Sequence, residues 1–77
     1  MDVTWYMRLR AARIQRGITQ STIAKALGIS ARSYQRYEAG DGKPGIDTLV
    51  DIADYLDISL DYLMGREKEY ISKDTSI

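Results

Sequence analysis

The strongest constraint on the fold is that apolar residues recur at helical spacing in short segments, most of which end at a glycine. Trp5, Leu9 and Ala12 follow an i, i+4, i+7 pattern with arginines between them, which predicts an amphipathic helix. Helices this short are unstable alone in water, so they must pack on one another. No alternating β pattern is found. The sequence therefore predicts an all-α fold.

Polar residues and glycines at the predicted helix ends divide the chain into five helices. The predicted N-terminal caps are Thr4, Thr19, Ser30, Gly45 or Asp47, and Ser59, and the predicted stops are Gly17, Gly28, Gly40 and Gly65. Ile29 and Tyr34 flank the third cap with the spacing of a hydrophobic staple. Residues 40–45 must form a loop, because glycine and proline dominate them.

The composition excludes several kinds of chemistry. Cysteine and histidine are both absent, which rules out disulfides, thiolate nucleophiles, zinc clusters and imidazole catalysis. No apolar run exceeds three residues, so no segment can span a membrane or act as a signal peptide. We therefore expect a cytoplasmic chain with no metal and no cofactor. We also expect no enzymatic activity, because an enzyme would need carboxylate pairs that converge in a pocket, and these helices are too small to suggest one.

The zero net charge conceals two halves of opposite sign. Residues 1–45 contain eight Lys and Arg against three Asp and Glu, a net charge of +5. Residues 46–77 contain three basic against eight acidic residues, a net charge of −5. One half is thus expected to attract polyanions and the other to repel them. Two ordinary solvated faces are the alternative interpretation.

The second and third predicted helices have the pattern of a helix-turn-helix, in which two short helices flank a glycine-containing turn. Gly28 can supply the positive φ that a tight turn needs, and Ala24 is small enough to lie where the two helices touch. The third helix places Arg32 and Arg36 opposite Tyr34, so its arginines are predicted to face outward while the tyrosine enters the core.

An ordered set of motifs then supports a family resemblance. The motifs are Leu9-Arg10-Ala11-Ala12-Arg13, Gly17-Ile18-Thr19-Gln20-Ser21-Thr22-Ile23-Ala24, Leu27-Gly28-Ile29-Ser30, Arg36-Tyr37-Glu38-Ala39-Gly40, Lys43-Pro44, Thr48-Leu49 and Leu60-Asp61-Tyr62-Leu63-Met64-Gly65. Together they resemble the Xre-type family, the helix-turn-helix domains of phage Cro and repressor proteins. Any single motif is weak evidence, whereas the ordered set is specific.

The resemblance implies a compact five-helix, lambda-repressor-like bundle that places its third helix in the major groove of double-stranded DNA. It assigns base contact to Ser30, Ala31, Arg32 and Arg36, phosphate contact to Gln20, and DNA-backbone contact to Ser33, Lys43 and Gln35. It also implies a partly buried ion pair between Arg13 and Glu38. Ordinary solvation of these exposed polar side chains is the alternative.

The sequence departs from the family pattern at three positions. Ala31 can offer only a methyl contact where a polar side chain is common. Gly45 replaces the usual serine cap of the fourth helix, at a cost of a few tenths of a kcal/mol. Asp41 stands in the loop near the expected DNA backbone, where the family commonly has a basic residue.

These features predict a transcriptional regulator, a repressor that binds a near-palindromic operator as a homodimer with its reading helices about 34 Å apart. We expect a DNA-binding domain over residues 1–66 and a tail or dimerisation segment over 67–77. Residues 66–77 could extend a helix, form a tail or pair with another subunit, and Tyr70 and Ile71 are candidate apolar contacts. The alternative is an antitoxin or adapter whose acidic C-terminal half binds a protein partner.

Overall fold

The computed structural model describes residues 5–65, which form five helices joined by short connections. In chain order the helices are α1 (Trp5–Gln15), α2 (Gln20–Leu27), α3 (Ala31–Glu38), α4 (Ile46–Leu56) and α5 (Leu60–Leu63). No strand occurs among these residues. The prediction of an all-α, five-helix fold is therefore confirmed. Thr4, Tyr70, Ile71 and the predicted tail over 67–77 lie outside the described residues.

Hydroxyl side chains begin three of the helices. Thr19, Ser30 and Ser59 each accept a hydrogen bond from the backbone N–H three residues later, at 2.9–3.1 Å. These bonds satisfy N–H groups that a helix N-terminus leaves without a partner inside the helix. Gly45 is the N-cap of α4 and makes no side-chain cap hydrogen bond. The predicted caps Thr19, Ser30 and Ser59 are confirmed, and of the two candidates for α4 the N-cap is Gly45 rather than Asp47.

Left-handed residues stand at or just after the C-terminal ends of all five helices, at Gly17, Gly28, Gly40, Asp57 and Gly65, so the four predicted glycine stops are confirmed. Gly28 ends α2 at φ 74°, and the N–H of Ile29 donates to the carbonyl of Ala24 at 3.0 Å. This closed turn brings α3 directly after α2. Asp57 ends α4 in the same conformation at φ 55°, which residues with a Cβ adopt infrequently. The sequence did not predict this last stop.

The core lies where α3 meets α1 and α2, where α4 meets α2 and α5, and where α1 meets α5. The large side chains with no exposed surface are Leu9, Ile23, Tyr34, Ile52, Leu56, Ile58 and Leu63. All but Ile58 belong to the predicted apolar faces, and Ile58 lies in the connection between α4 and α5. Because Tyr34 anchors α3 from the inside, the opposite side of α3 faces outward.

The five helices are also short compared with a bilayer. Between residues 5 and 65 no helix combines the length and the apolar character that crossing a membrane requires.

Candidate nucleic-acid interface

The outward face of α3 carries polar and basic side chains. Arg32, Ser33, Gln35 and Arg36 are all exposed, whereas Tyr34 is completely buried. Tyr34 lies two residues from each arginine, and two residues turn a helix by about half a circle. α3 therefore presents an arginine-bearing surface, as its amphipathic pattern predicts.

The first turn of α3 contributes less to this surface than its two arginines. The exposed hydroxyl of Ser30 accepts from the N–H of Ser33 at 3.1 Å and donates to the hydroxyl of Ser33 at 3.0 Å. Ala31 is partly buried and packs against the core, so only part of its methyl group faces outward. Of the four residues to which the resemblance assigns base contact, Arg32 and Arg36 thus have the longer exposed side chains.

A shallow concavity of about 280 Å³ links α3 to the loop that follows it. Its lining residues are Ser33, Arg36, Tyr37, Gly42 and Lys43. Gly42 lies against the ring of Tyr37, because a Cβ at position 42 would be 3.2 Å from the ring carbon Cδ1. The concavity brings together a hydroxyl, a guanidinium and an ammonium group, and all three are groups that bind phosphate oxygens.

Arg36 is the residue that connects this concavity to the rest of the exposed face. It also lines a second concavity with Arg32, Gln35 and Ala39. Its Nε lies 3.7 Å from Oδ2 of Asp41, and both side chains are exposed. The surface is therefore continuous from Arg32 to the loop, with one acidic side chain beside its central arginine.

Gln20, the first residue of α2, is partly buried against the end of α3. Its Nε2 donates a hydrogen bond to Oε1 of Glu38 at 3.0 Å. An amide nitrogen carries two N–H groups, so this bond uses one of them. The side chain is thus held in place by a buried carboxylate while it retains a second donor suited to a phosphate oxygen.

The carboxylate of Glu38 is the centre of a buried polar network. It accepts hydrogen bonds from Arg13 Nε at 2.5 Å, Arg13 Nη2 at 3.2 Å, the Tyr34 hydroxyl at 2.5 Å and Gln20. Arg13 also donates from Nη1 to the carbonyl of Ile18 at 2.7 Å. The side chain of Glu38 is only 4% exposed, so its charge depends on these partners. The network joins α1, α2 and α3.

The pKa values in the network keep the carboxylate charged and the phenol neutral at neutral pH. Burial alone would raise the pKa of Glu38, but hydrogen bonds from Arg13, Tyr34 and Gln20 outweigh burial and lower it. The hydrogen bond to Glu38 raises the pKa of Arg13 although burial opposes this change. Burial, and then the hydrogen bond to Glu38, raise the pKa of the Tyr34 hydroxyl. The network is therefore a fixed set of donors around one anion.

Several of these contacts were missed at the sequence level. Tyr34 was predicted as a core residue, and Gln20 as a phosphate contact that also braces the reading residues, but neither was predicted to bind Glu38, as both do. The i, i+4 spacing of Tyr34 and Glu38 was a usable signal, because such residues share a helix face. No sequence signal pointed to Arg16, whose Nη2 donates to the carbonyl of Asp57 at 3.2 Å.

The acidic residues of the second half lie on other helices. Residues 46–65 contain five aspartates and no Lys or Arg, and Asp47, Asp51 and Asp54 on α4 are exposed. Within residues 5–65 no three His, Cys, Asp or Glu residues come together in a group that could hold a metal ion. The acidic charges of this region thus lie on α4, α5 and the turn between them, whereas the basic charges are divided among α1 and the turn after it, α2, α3 and the loop after α3.

Comparisons with known proteins agree with this architecture. Residues 9–63 match the helix-turn-helix family. Over 48 residues the chain is 52% identical to the cryptic phage CTXphi transcriptional repressor RstR of Vibrio cholerae, covering 62% of this chain and 43% of RstR. It is also 40% identical over 67 residues to the HTH-type transcriptional regulator YqaE of Bacillus subtilis, covering 86% of this chain and 58% of YqaE.

A third relative is of similar length to this chain. The HTH-type transcriptional regulator YazB of Bacillus subtilis is 44% identical over 64 residues, which cover 83% of this chain and 93% of YazB. By contrast, the chain spans about half the length of RstR and YqaE. No solved structure matches the chain significantly.

Proposed function

The chain belongs to the Xre-type helix-turn-helix family, and we propose that it is a sequence-specific transcriptional regulator that represses by binding double-stranded DNA. The observation that carries this proposal is the outward face of α3, where Arg32, Gln35 and Arg36 are exposed while Tyr34 is buried. The similarity to RstR, a transcriptional repressor, and to YqaE, an HTH-type transcriptional regulator, supports the same function.

In the proposed complex α3 lies in the major groove and its arginines read base edges. An arginine can donate two hydrogen bonds to O6 and N7 of a guanine, which discriminates against other bases by about 1–3 kcal/mol. Arg32 and Arg36 take this role. Ser30 is placed beside them at the start of the helix, and Ala31 offers the exposed part of its methyl group to a thymine.

The groups at the edge of this surface bind phosphate and orient the protein on the duplex. Ser33 and Lys43 line the concavity beside Arg36, and Gln35 extends the same face. Gln20 adds a donor at the start of α2. Such contacts are independent of sequence and supply much of the affinity for any duplex.

The buried network prepares the reading helix for binding. Arg13 and Gln20 hold the carboxylate at the last residue of α3, so the helix end cannot swing away from α1 and α2. Groups that are already fixed lose less conformational entropy when a complex forms. Glu38 is therefore a structural residue of the interface and makes no DNA contact of its own.

We propose that two copies bind one operator. A single domain of this kind buries about 600–1,000 Å² on DNA, which gives modest affinity. A two-fold dimer would place two reading helices about 34 Å apart on a near-palindromic site. Sedimentation of the protein with the selected duplex is expected to give two chains per duplex. One chain per duplex at saturation would contradict the dimer and leave the DNA-binding proposal standing.

The experiment that tests the function is selection of bound duplexes from a random DNA pool. We expect enrichment of a site that contains guanine at the positions read by α3. Arg32→Ala and Arg36→Ala are expected to lose preference at one position each. Arg10→Ala removes an exposed arginine from α1 and is the matched control, which should keep the preference. Failure of the unmodified protein to enrich any site would overturn the proposal.

A second candidate function rests on α4. Ile46 and Val50 are 62% and 39% exposed and lie one turn apart on a helix whose charged residues are all acidic. An acidic helix with exposed apolar residues suits a protein partner, as in an antitoxin or an adapter. A complex with such a partner should form equally well with Arg32→Ala and Arg36→Ala. A requirement for either arginine would favour DNA recognition instead.

A further inference from the structure

We propose that Asp41 is a specificity-determining residue, which positions Arg36 for a guanine and weakens binding to all other DNA. The inference rests on the proposed function, since Arg36 is its proposed base contact. The carboxylate Oδ2 of Asp41 lies 3.7 Å from Nε of Arg36, and the two side chains are 75% and 62% exposed. The pair therefore lies on the surface that would face the duplex.

The backbone holds Asp41 at a fixed place relative to α3. Gly40 turns the chain at φ 76°, and the N–H of Asp41 donates to the carbonyl of Arg36 at 2.9 Å. Gly40 also packs closely on Tyr6, because a Cβ at position 40 would be 2.8 Å from two ring carbons. The helix end is thus locked against α1, and Asp41 stays beside the arginine one turn earlier.

The atom that Asp41 approaches decides what Arg36 can still do. A guanidinium group has one N–H at Nε and four at its two terminal nitrogens, all in one rigid plane. A carboxylate on the Nε edge leaves the terminal nitrogens to meet O6 and N7 of a guanine together. Asp41 therefore limits the rotation of Arg36 without occupying the edge that reads the base, so it acts as a positioning residue.

The same carboxylate weakens contact with phosphate. A phosphate that approaches Arg36 or the concavity with Ser33 and Lys43 also meets the charge of Asp41. An exposed charge interaction of this kind changes an equilibrium constant by about 1.5-fold to 5-fold. On an unrelated duplex Arg36 has no guanine to bind, so no base contact compensates for the affinity that the charge of Asp41 removes. Asp41 thus increases the ratio of specific to non-specific affinity.

The test compares Asp41→Asn with Asp51→Asn, which makes the same charge change on an exposed position of α4. Dissociation constants are measured at one salt concentration for three duplexes. The first is the duplex selected by the unmodified protein, the second is the same duplex with the guanine whose preference depends on Arg36 replaced, and the third is a scrambled duplex. Thermal unfolding of each variant checks that the fold is kept.

Asp41→Asn is expected to tighten binding to the scrambled duplex by about 1.5-fold to 5-fold, and to reduce the preference for guanine several-fold. Asp51→Asn should change the affinity for the scrambled duplex and the preference for guanine by less than about 1.5-fold each. Asp41→Glu keeps the charge and should leave the scrambled duplex near its original affinity. In the Arg36→Ala background, Asp41→Asn should no longer alter base preference.

Equal changes on all three duplexes, or equal effects of Asp41→Asn and Asp51→Asn, would overturn the positioning role while DNA binding itself stands. An Asp41→Glu variant that behaves like Asp41→Asn would also overturn it. If the unmodified protein selects no duplex at all, both this inference and the proposed function fail.

Discussion

Two arginine–carboxylate pairs, each with one member on α3, use the same chemical groups in opposite environments. Arg13 and Glu38 meet at 2.5 Å in a buried network, whereas Arg36 and Asp41 lie 3.7 Å apart on the surface. Removing one partner of a buried pair leaves a charge without water or a counter-ion. Removing one partner of an exposed pair leaves a charge that water solvates readily. We therefore expect the buried pair to affect folding, and the exposed pair is proposed to affect binding.

The comparison extends to the two faces of α3. The inner face contributes Tyr34 and Glu38 to the core, and the outer face contributes Arg32 and Arg36 to the surface. One short helix is thus proposed to support both stability and recognition, with different residues for each. Substitutions on the inner face should therefore change stability, and substitutions on the outer face should change binding.

The largest expected effect is that of Glu38→Ala. The substitution leaves the Arg13 guanidinium buried without its carboxylate, and we expect a loss of about 3–5 kcal/mol in the free energy of unfolding. DNA binding should weaken because the fold is lost, since Glu38 makes no proposed DNA contact. Chemical and thermal denaturation measure the change. An unaltered melting temperature together with weakened binding would place Glu38 among the binding residues and contradict its purely structural role.

The buried pair should also make stability depend on acid. The pKa of Glu38 is lowered in the folded state. Burial is the largest single influence and would raise this pKa, but the hydrogen bonds from Arg13, Tyr34 and Gln20 together outweigh it. The stabilising contribution of Glu38 is therefore present above the unfolded-state pKa of about 4.3 and is lost as the pH falls through the lower folded-state value. Urea denaturation of the wild type and Glu38→Gln across this range should show the steeper acid loss in the wild type. Parallel curves would argue against this contribution.

The helix ends and the two faces of α3 could be predicted because they depend on residues that are close together in the sequence. The caps at Thr19 and Ser30 and the left-handed stop at Gly28 depend on neighbouring residues alone, and all three occur as predicted. The burial of Tyr34 and the exposure of Arg32 follow from the helical repeat. Residues whose environment is set within one helix are thus accessible from sequence.

Contacts between distant segments were less predictable, because they depend on how the helices pack. The hydrogen bond from Gln20 to Glu38 spans two helices, and the burial of Ile58 arises in a connection without any periodic pattern. The resemblance predicted that Ala31 contacts a DNA base, yet its side chain is partly buried and packs against the core. The pairing of Arg13 and Glu38 was expected only from the family resemblance.

A smaller effect, confined to binding, is expected for Arg36→Ala. The variant should lose about 1–3 kcal/mol of preference at a single base position, while its free energy of unfolding changes by no more than about 0.5 kcal/mol. Repeating the duplex selection and the denaturation measures the two quantities on one sample. Arg10→Ala, an exposed arginine on α1, should preserve both. A large loss of stability in Arg36→Ala would show that the outer face also supports the fold.

The smallest and most general effect is expected for Lys43→Ala, at the edge of the same surface. Lys43 is exposed in the loop and is proposed to contact phosphate, which carries no sequence information. The variant should therefore bind selected and scrambled duplexes more weakly by the same factor. The slope of log K against log salt should fall by about one, because one fewer counter-ion is released. An altered base preference would instead move Lys43 to the reading side of the interface, and an unchanged slope would remove it from the interface altogether.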